Sequence, residues 1–410
     1  MKKAMKIFIY GYVSTFHNVL FLRAKIHYNN ANEGDHMKRN IKDIHRIIIK
    51  VGSTSLCDTN GKINKEKILK IISQIATLKR QGYTVVLVSS GAIAAGMGKL
   101  GLESKPTTLP QKQALAAIGQ AKLMEIYEEF FKIFDMKCSQ ILLNHDDFDD
   151  RKRLNNLNYT INALLDYDVV PIINENDALA VEEIKFGDND TLASLLVPVI
   201  EAELLILVSD IDGLYTANPK IDKNATLINY VPKITKEVMR YAGDTSSNLG
   251  TGGMATKLKA ARMVNDYGSH MCIVNGEKAN SILNALKDEG TWFNGNGGKN
   301  LNAREHWLAY RSNAKGSIIV DEGCKKALVR KHVSLLPSGI IDVEGQFLLG
   351  QVVNIIDENK KTIGKGVVNY ASDEIRLIKG FNTSEIENIL HYKDYDEVIH
   401  ANNMYITYEK

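Results

Sequence analysis

Cysteine is scarce in this 410-residue chain and neither sign of charge prevails. The four cysteines, Cys57, Cys138, Cys272 and Cys324, stand far apart with no metal-ligand spacing, which speaks against a disulfide framework or a zinc site and for a reducing, cytoplasmic compartment. Lysine and arginine number 51 against 48 aspartate and glutamate, a net charge of +3. Lys2, Lys3, Lys6, Arg23 and Lys25, against Glu33 and Asp35, place that whole excess before Met37, so the rest of the chain is neutral and offers no electrostatic footprint for nucleic acid. Long apolar runs are missing too. The opening MKKAMKIFIYGYVSTFHNVLFL imitates a signal peptide, but Ser14, Thr15, His17 and Asn18 interrupt it and no small-x-small cleavage site follows. Its uninterrupted pieces are too short to span a bilayer. Residues 1–41 are therefore expected to be an N-terminal extension, dispensable or an upstream misreading of a start at Met37. Gly-x-Ser-x-Gly, His-Glu-x-x-His and local Cys–His signatures are all lacking, which removes the usual hydrolase and zinc-protease readings.

What is present is an alternation of short apolar runs and longer amphipathic segments. RIIIKV, YTVVLVSS, CSQILLN, VVPIIN, LLILVS and HMCIVN read as strands. NKEKILKIISQIATLKRQG, PQKQALAAIGQAKLMEIYEEFFKIF and RKRLNNLNYTINALLDY read as helices. Continuous rather than alternating β-branched runs imply strands covered on both faces, hence an α/β three-layer sandwich around a mostly parallel sheet. From about residue 290 the texture changes: GTWFNGNGGKNLNAREHW is polar and glycine-rich, and short strands with one helix, EGCKKALVRKH, follow. The expected domains are 42–293, a linker at 294–314, a small β-rich domain at 315–395 and a tail at 396–410.

Ligands in such sheets gather at the carboxyl ends of the strands. Lys50 sits in an apolar strand end, where a buried ammonium needs an anion, and Gly52 lets the chain turn there with its N–H groups exposed. NLGTGGMATKLKAA places glycines at 250, 252 and 253 ahead of Lys257 on an opening helix, a phosphate cradle distinct from a P-loop, whose lysine follows a glycine directly. Asp188, Asn189 and Asp190, with Asn174, Glu175, Asn176 and Asp177 just past a buried strand, exceed what helix capping needs. Ser89 and Ser90 precede Gly91 at another strand-to-helix turn. Gly96, Gly98 and Gly101 match G-x-G-x-x-G but fall after a helical start, which argues against a dinucleotide fingerprint.

Together and in order, IIIKVGSTS, VLVSSGAIAAG, VVPIINENDA, KFGDNDTLAS, LVSDIDGLYT and GTGGMATK closely resemble the glutamate 5-kinases of the amino acid kinase superfamily. KGSIIVDEGCKKAL and SLLPSGIIDVEGQF resemble the PUA domain that follows the kinase in many members. The resemblance implies transfer of the γ-phosphoryl group of ATP, with Mg²⁺, to the side-chain carboxylate of L-glutamate, giving glutamyl 5-phosphate for proline synthesis. It further implies that Lys50 and Lys257 hold the transferring phosphate while Asp190 orients them. Lys50, Gly52, Ser209, Asp210, Thr251, Gly252, Gly253, Met254, Ala255, Thr256 and Lys257 would line the ATP site, and Ser90, Asp177 and Asn189 the glutamate site. Family members imply proline as an inhibitor and a homo-oligomer. Ser209 replaces a frequent threonine, Asn218 replaces a common aspartate, and the extension before Met37 has no counterpart. Another amino acid kinase, such as one acting on acetylglutamate, is the alternative enzyme. An RNA-binding role for the PUA-like part is the alternative of another class, disfavoured by its lack of excess basic charge.

Overall fold

The computed structural model describes residues 39, 41–104, 106–179, 189–242, 253–331 and 333–407, which from Asp43 onward belong to one compact body. The expected extension thus lies almost entirely outside the described residues, as do Asp188, Thr251 and Gly252. Among the described residues no helix is long and apolar enough to cross a membrane.

The first region is built on an eight-stranded sheet. Its elements in chain order are β1 (Arg46–Val51), α1 (Lys65–Arg80), β2 (Thr84–Ser89), α2 (Ala92–Leu100), α3 (Leu109–Ile133), β3 (Lys137–Leu143), α4 (Arg151–Asp166), β4 (Val169–Glu175), α5 (Asn189–Leu196), β5 (Leu204–Ser209), β6 (Tyr230–Val231), α6 (Met254–Tyr267), β7 (His270–Asn275) and β8 (Thr291–Phe293). The strand order is β3-β4-β2-β1-β5-β7-β8-β6. All neighbours pair in parallel except β7 with β8. The apolar runs explain this: β1, β2 and β5 bury nearly every residue, as only strands covered on both faces do. Helices supply the covers. In α1, Asn64 caps the first turn by accepting from the Glu66 and Lys67 amides, and Ile68, Ile71, Ile72 and Ile75 make the buried stripe.

Of the misleading G-x-G-x-x-G pattern, Gly96 serves helix packing, as does Gly119 on the facing helix. A Cβ on Gly96 would lie 2.1 Å from the Leu115 carbonyl oxygen, and one on Gly119 would lie 1.7 Å from that of Ala92, so α2 and α3 cross at backbone contact. Gly101 ends α2 in the left-handed conformation at φ 68°.

Two stretches differ from the sequence expectation. Within the glycine-rich segment, Thr291–Phe293 is a fully buried strand of the large sheet, and Ala303–Tyr310 (α7) is a helix capped by Asn302 and Glu305. Three residues are too few to show a period, and the polar cap of α7 resembles a loop. The second difference concerns the expected tail. The second region runs through β9 (Gly316–Val320), α8 (Glu322–Arg330), β10 (Ile340–Gly345), β11 (Val352–Asp357), β12 (Thr362–Val367), α9 (Ser372–Ile378), α10 (Ile386–Leu390) and β13 (Met404–Ile406), with strand order β10-β9-β11-β12-β13. Residues 396–407 are part of this domain: β13 pairs with β12, and Val398 and Ile399 lie in the core beside Ile355 and Tyr370. Leu301, Leu308, Val352 and Tyr405 form a small apolar cluster that joins the two regions.

Candidate functional site

Lys50 lies in an interior strand, since β1 is flanked by β2 and β5 and Lys50 pairs with Val88 on one side and Leu207 on the other. Escape to water along a sheet edge is not open to it. Its side chain is buried, and Nζ meets Asp190 Oδ1 at 2.5 Å. The other carboxylate oxygen, Oδ2, accepts from Lys257 Nζ at 2.9 Å. One carboxylate in the first turn of α5 therefore draws together a lysine from β1 and a lysine from α6. Asp190 is 1% exposed. Burial alone would raise its pKa, but the Lys50 and then the Lys257 ammonium outweigh burial and hold it below the ordinary aspartate range. The group carries two positive charges and one negative, an excess suited to an anion.

Gly52 follows directly. Its backbone is extended, at φ −77° and ψ 161°, so conformation does not demand glycine. Nor does space: a Cβ would stand 3.4 Å from Lys50 Nζ, an ordinary van der Waals contact. Gly253 opens α6, Thr256 Oγ1 donates to the Gly253 carbonyl at 2.7 Å, and Met254 and Ala255 are half-buried in the same turn.

A second cluster adjoins the first. Asn189, the neighbour of Asp190, donates through Nδ2 to Ser90 Oγ at 2.7 Å, to the Ser89 carbonyl at 2.9 Å and to Asn174 Oδ1 at 3.0 Å. Asn174 in turn donates to Gln120 Oε1 at 3.1 Å. Gln120 lines a pocket of about 290 Å³ whose wall includes Ala92, Gln140, Glu175, Asn176 and Asp177. The structure thus brings Ser90 and Asn189 into direct contact with each other and places Asp177 on the adjoining pocket. Ser209 and Asp210 bond one another at 3.1 Å at the tip of β5, and their hydrogen bonds do not reach the lysine–aspartate group.

Sequence reasoning missed Gln120 and Tyr127, which stand on the long helix α3 in an ordinary amphipathic pattern; Tyr127 meets Ser89 Oγ at 2.8 Å and locks that turn from behind. It also passed over Asp212, which accepts from Asn275 Nδ2 at 2.8 Å and pairs with Lys278 at 3.3 Å just past β5 and β7. The repeated acid in SDIDGLY was the available signal for Asp212.

Two family models match successive parts of the chain. A model described as the amino acid kinase family matches residues 45–275, and one described as a PUA domain matches residues 316–390. The chain is 48% identical over 365 residues to a protein of Caldanaerobacter subterraneus subsp. tengcongensis named glutamate 5-kinase, spanning 88% of this chain and 97% of that one. It is 47% identical over 364 residues to a protein of that name from Thermoanaerobacter sp. strain X514, covering 88% and 97%. A third of the same name, from Geobacter sp. strain M21, is 45% identical over 369 residues, covering 90% and 99%.

Proposed function

The chain belongs to the glutamate 5-kinases of the amino acid kinase family, which transfer a phosphoryl group from ATP to glutamate, and on that premise we propose that Lys50, Asp190 and Lys257 carry the transfer. A glutamate side chain, with an ordinary pKa of about 4.3, is already ionised at neutral pH, so its carboxylate oxygen attacks the γ-phosphorus without a general base. The bond to the β,γ-bridging oxygen breaks, ADP leaves, and an acyl phosphate at the side-chain carboxylate is formed. The obstacle is repulsion between an anionic acceptor and a triphosphate, and preorganised cations relieve it.

One observation carries this reading: two lysines from distant elements converge on a single buried carboxylate. Asp190 fixes both ammonium groups before any substrate arrives, so little reorganisation is left for the transition state. Gly52, Thr251, Gly252, Gly253, Met254, Ala255 and Thr256 are assigned to ATP, together with Ser209 and Asp210 at the β5 tip. Ser90 and Asn189 hold the acceptor carboxylate, and Asp177, facing the adjoining pocket, takes the α-ammonium group. Mg²⁺ enters with ATP. Both oxygens of Asp190 already face ammonium groups, and among the described residues no three histidine, cysteine or carboxylate side chains gather to hold a cation. A homo-oligomer, inhibition by proline and supply of proline synthesis belong to the same proposal; sedimentation velocity and a proline titration of the rate test the first two.

With Mg-ATP and hydroxylamine the chain should form a hydroxamate from L-glutamate and little from N-acetylglutamate or aspartate. Equal turnover of either competitor would reject the acceptor assignment.

A further inference from the structure

A cleft of about 590 Å³ opens between the two regions, away from the lysine–aspartate group. Three guanidinium groups line it: Arg151 at the start of α4, Arg304 at the start of α7 and Arg311 just beyond the end of α7. Arg311 is 5% exposed, and its Nε and Nη2 are buried without a hydrogen-bond acceptor. The ring of Phe148 lies against it, with its centroid 5.5 Å from the guanidinium carbon. Burial pulls Arg311 down to about 9. Arg304 is lowered as well, by burial and then by the nearby charge of Arg151. Among the described residues none of the three forms an ion pair with a carboxylate. The acids that share the cleft are Asp149, whose Oδ2 accepts from Asn313 Nδ2 at 2.8 Å, and the exposed Glu201.

A buried guanidinium with unmet donors is costly, and an oxyanion between the three arginines would supply the missing acceptors. Leu154, Pro198, Val199, Trp307 and Val367 give the wall an apolar part, beside the polar Asn155, Asn158 and Tyr159. A pocket of this size and mixture suits a small molecule with one charged end and an apolar body. We propose that this cleft is a second ligand site, which takes a small organic phosphate whose oxyanion meets Arg151, Arg304 and Arg311 and whose body packs on Trp307. Gly350 and Val367 come from the second region and the other lining residues from the first region and α7, so the ligand touches both.

The test is calorimetric titration of the full chain with its catalytic site filled by glutamate and a non-hydrolysable ATP analogue. Phenyl phosphate is the probe, with inorganic phosphate and phenol as the charged and apolar halves. Phenyl phosphate should bind saturably and more tightly than inorganic phosphate, phenol should not bind, and Trp307 fluorescence should change in step. Arg311→Met and Arg304→Gln should each weaken phenyl phosphate by about tenfold or more, the worth of a charge-assisted hydrogen bond. Lys257→Ala should leave the affinity unchanged. No saturable heat in the wild type, equal affinity in Arg304→Gln, or loss in Lys257→Ala alone would overturn the site. Should Arg311→Met fail to fold, the half-exposed Arg304 decides by the same titration.

Discussion

The two regions treat charge in opposite ways. The first buries Lys50, Asp190, Lys257, Asp266 and Arg311, whereas the second, among its described residues, buries only one charged side chain, Asp357 at the end of β11. Other pairs of the second region, such as Lys360 with Glu344 and Lys379 with Asp342, stand at its surface. A buried charge is tolerated only where something recovers its desolvation cost, and at the strand ends of the first region Lys50, Asp190 and Lys257 do so for one another. Exposed pairs are screened and contribute little. Among its described residues the small β domain therefore has no counterpart to the two buried lysines that meet one carboxylate at the strand ends of the large sheet.

Breaking the contrast at its centre should have the largest effect. Asp190→Asn strips the common partner from two buried ammonium groups, and it should lower kcat by about 10² or more while costing about 3–5 kcal/mol of stability, read from denaturant unfolding. Lys257→Ala is expected to lower kcat by about 10², or about 2.7 kcal/mol of transition-state stabilisation, with folding retained because Asp190 keeps Lys50. If only KM rose, the lysine would bind nucleotide without aiding the transfer.

A smaller effect sharpens the comparison within the first region. Gly119→Ala forces a methyl group into the backbone of α2 and should cost about 1–3 kcal/mol, whereas Gly98→Ala, with open space around it, should be neutral or stabilising. Acid provides a milder probe. Because Asp190 is held below its unfolded value of about 3.9, it contributes stability that is complete above that pH and is lost as pH falls through the depressed folded value. The wild-type Tm should thus drop more steeply below about pH 4 than that of Asp190→Asn. At the bottom of the scale, Lys360→Ala in the second region should change neither Tm nor kcat measurably; a clear loss would show that its surface charges matter after all.

Much of the large sheet was legible because apolar runs such as RIIIKV and LLILVS are too continuous for one-sided strands, and the long helices carry their own caps and stripes. Short elements were not. Thr291–Phe293, Ile386–Leu390 and Met404–Ile406 owe their form to neighbours that pair with or cover them, which no local pattern records. The site divides along the same line. Lys50 announced itself as a cation among isoleucines, and glycines marked the start of α6, because each breaks the pattern that a buried strand or a helix start would follow on packing alone.

Residue type and order alone determined that this chain makes a parallel α/β sheet with strand-end lysines, glycines and acids, since local propensity and periodicity are properties of neighbouring residues. Only the tertiary structure decided that Asp190 would lie between Lys50 and Lys257, that Gln120 would close a chain of amides behind Asn189, and that Arg311 would be buried without a carboxylate. Those facts join residues as far as 140 positions apart, from Lys50 to Asp190, and the packing of helices onto the sheet, which depends on every side chain between them, is what brings such residues within a hydrogen bond of each other.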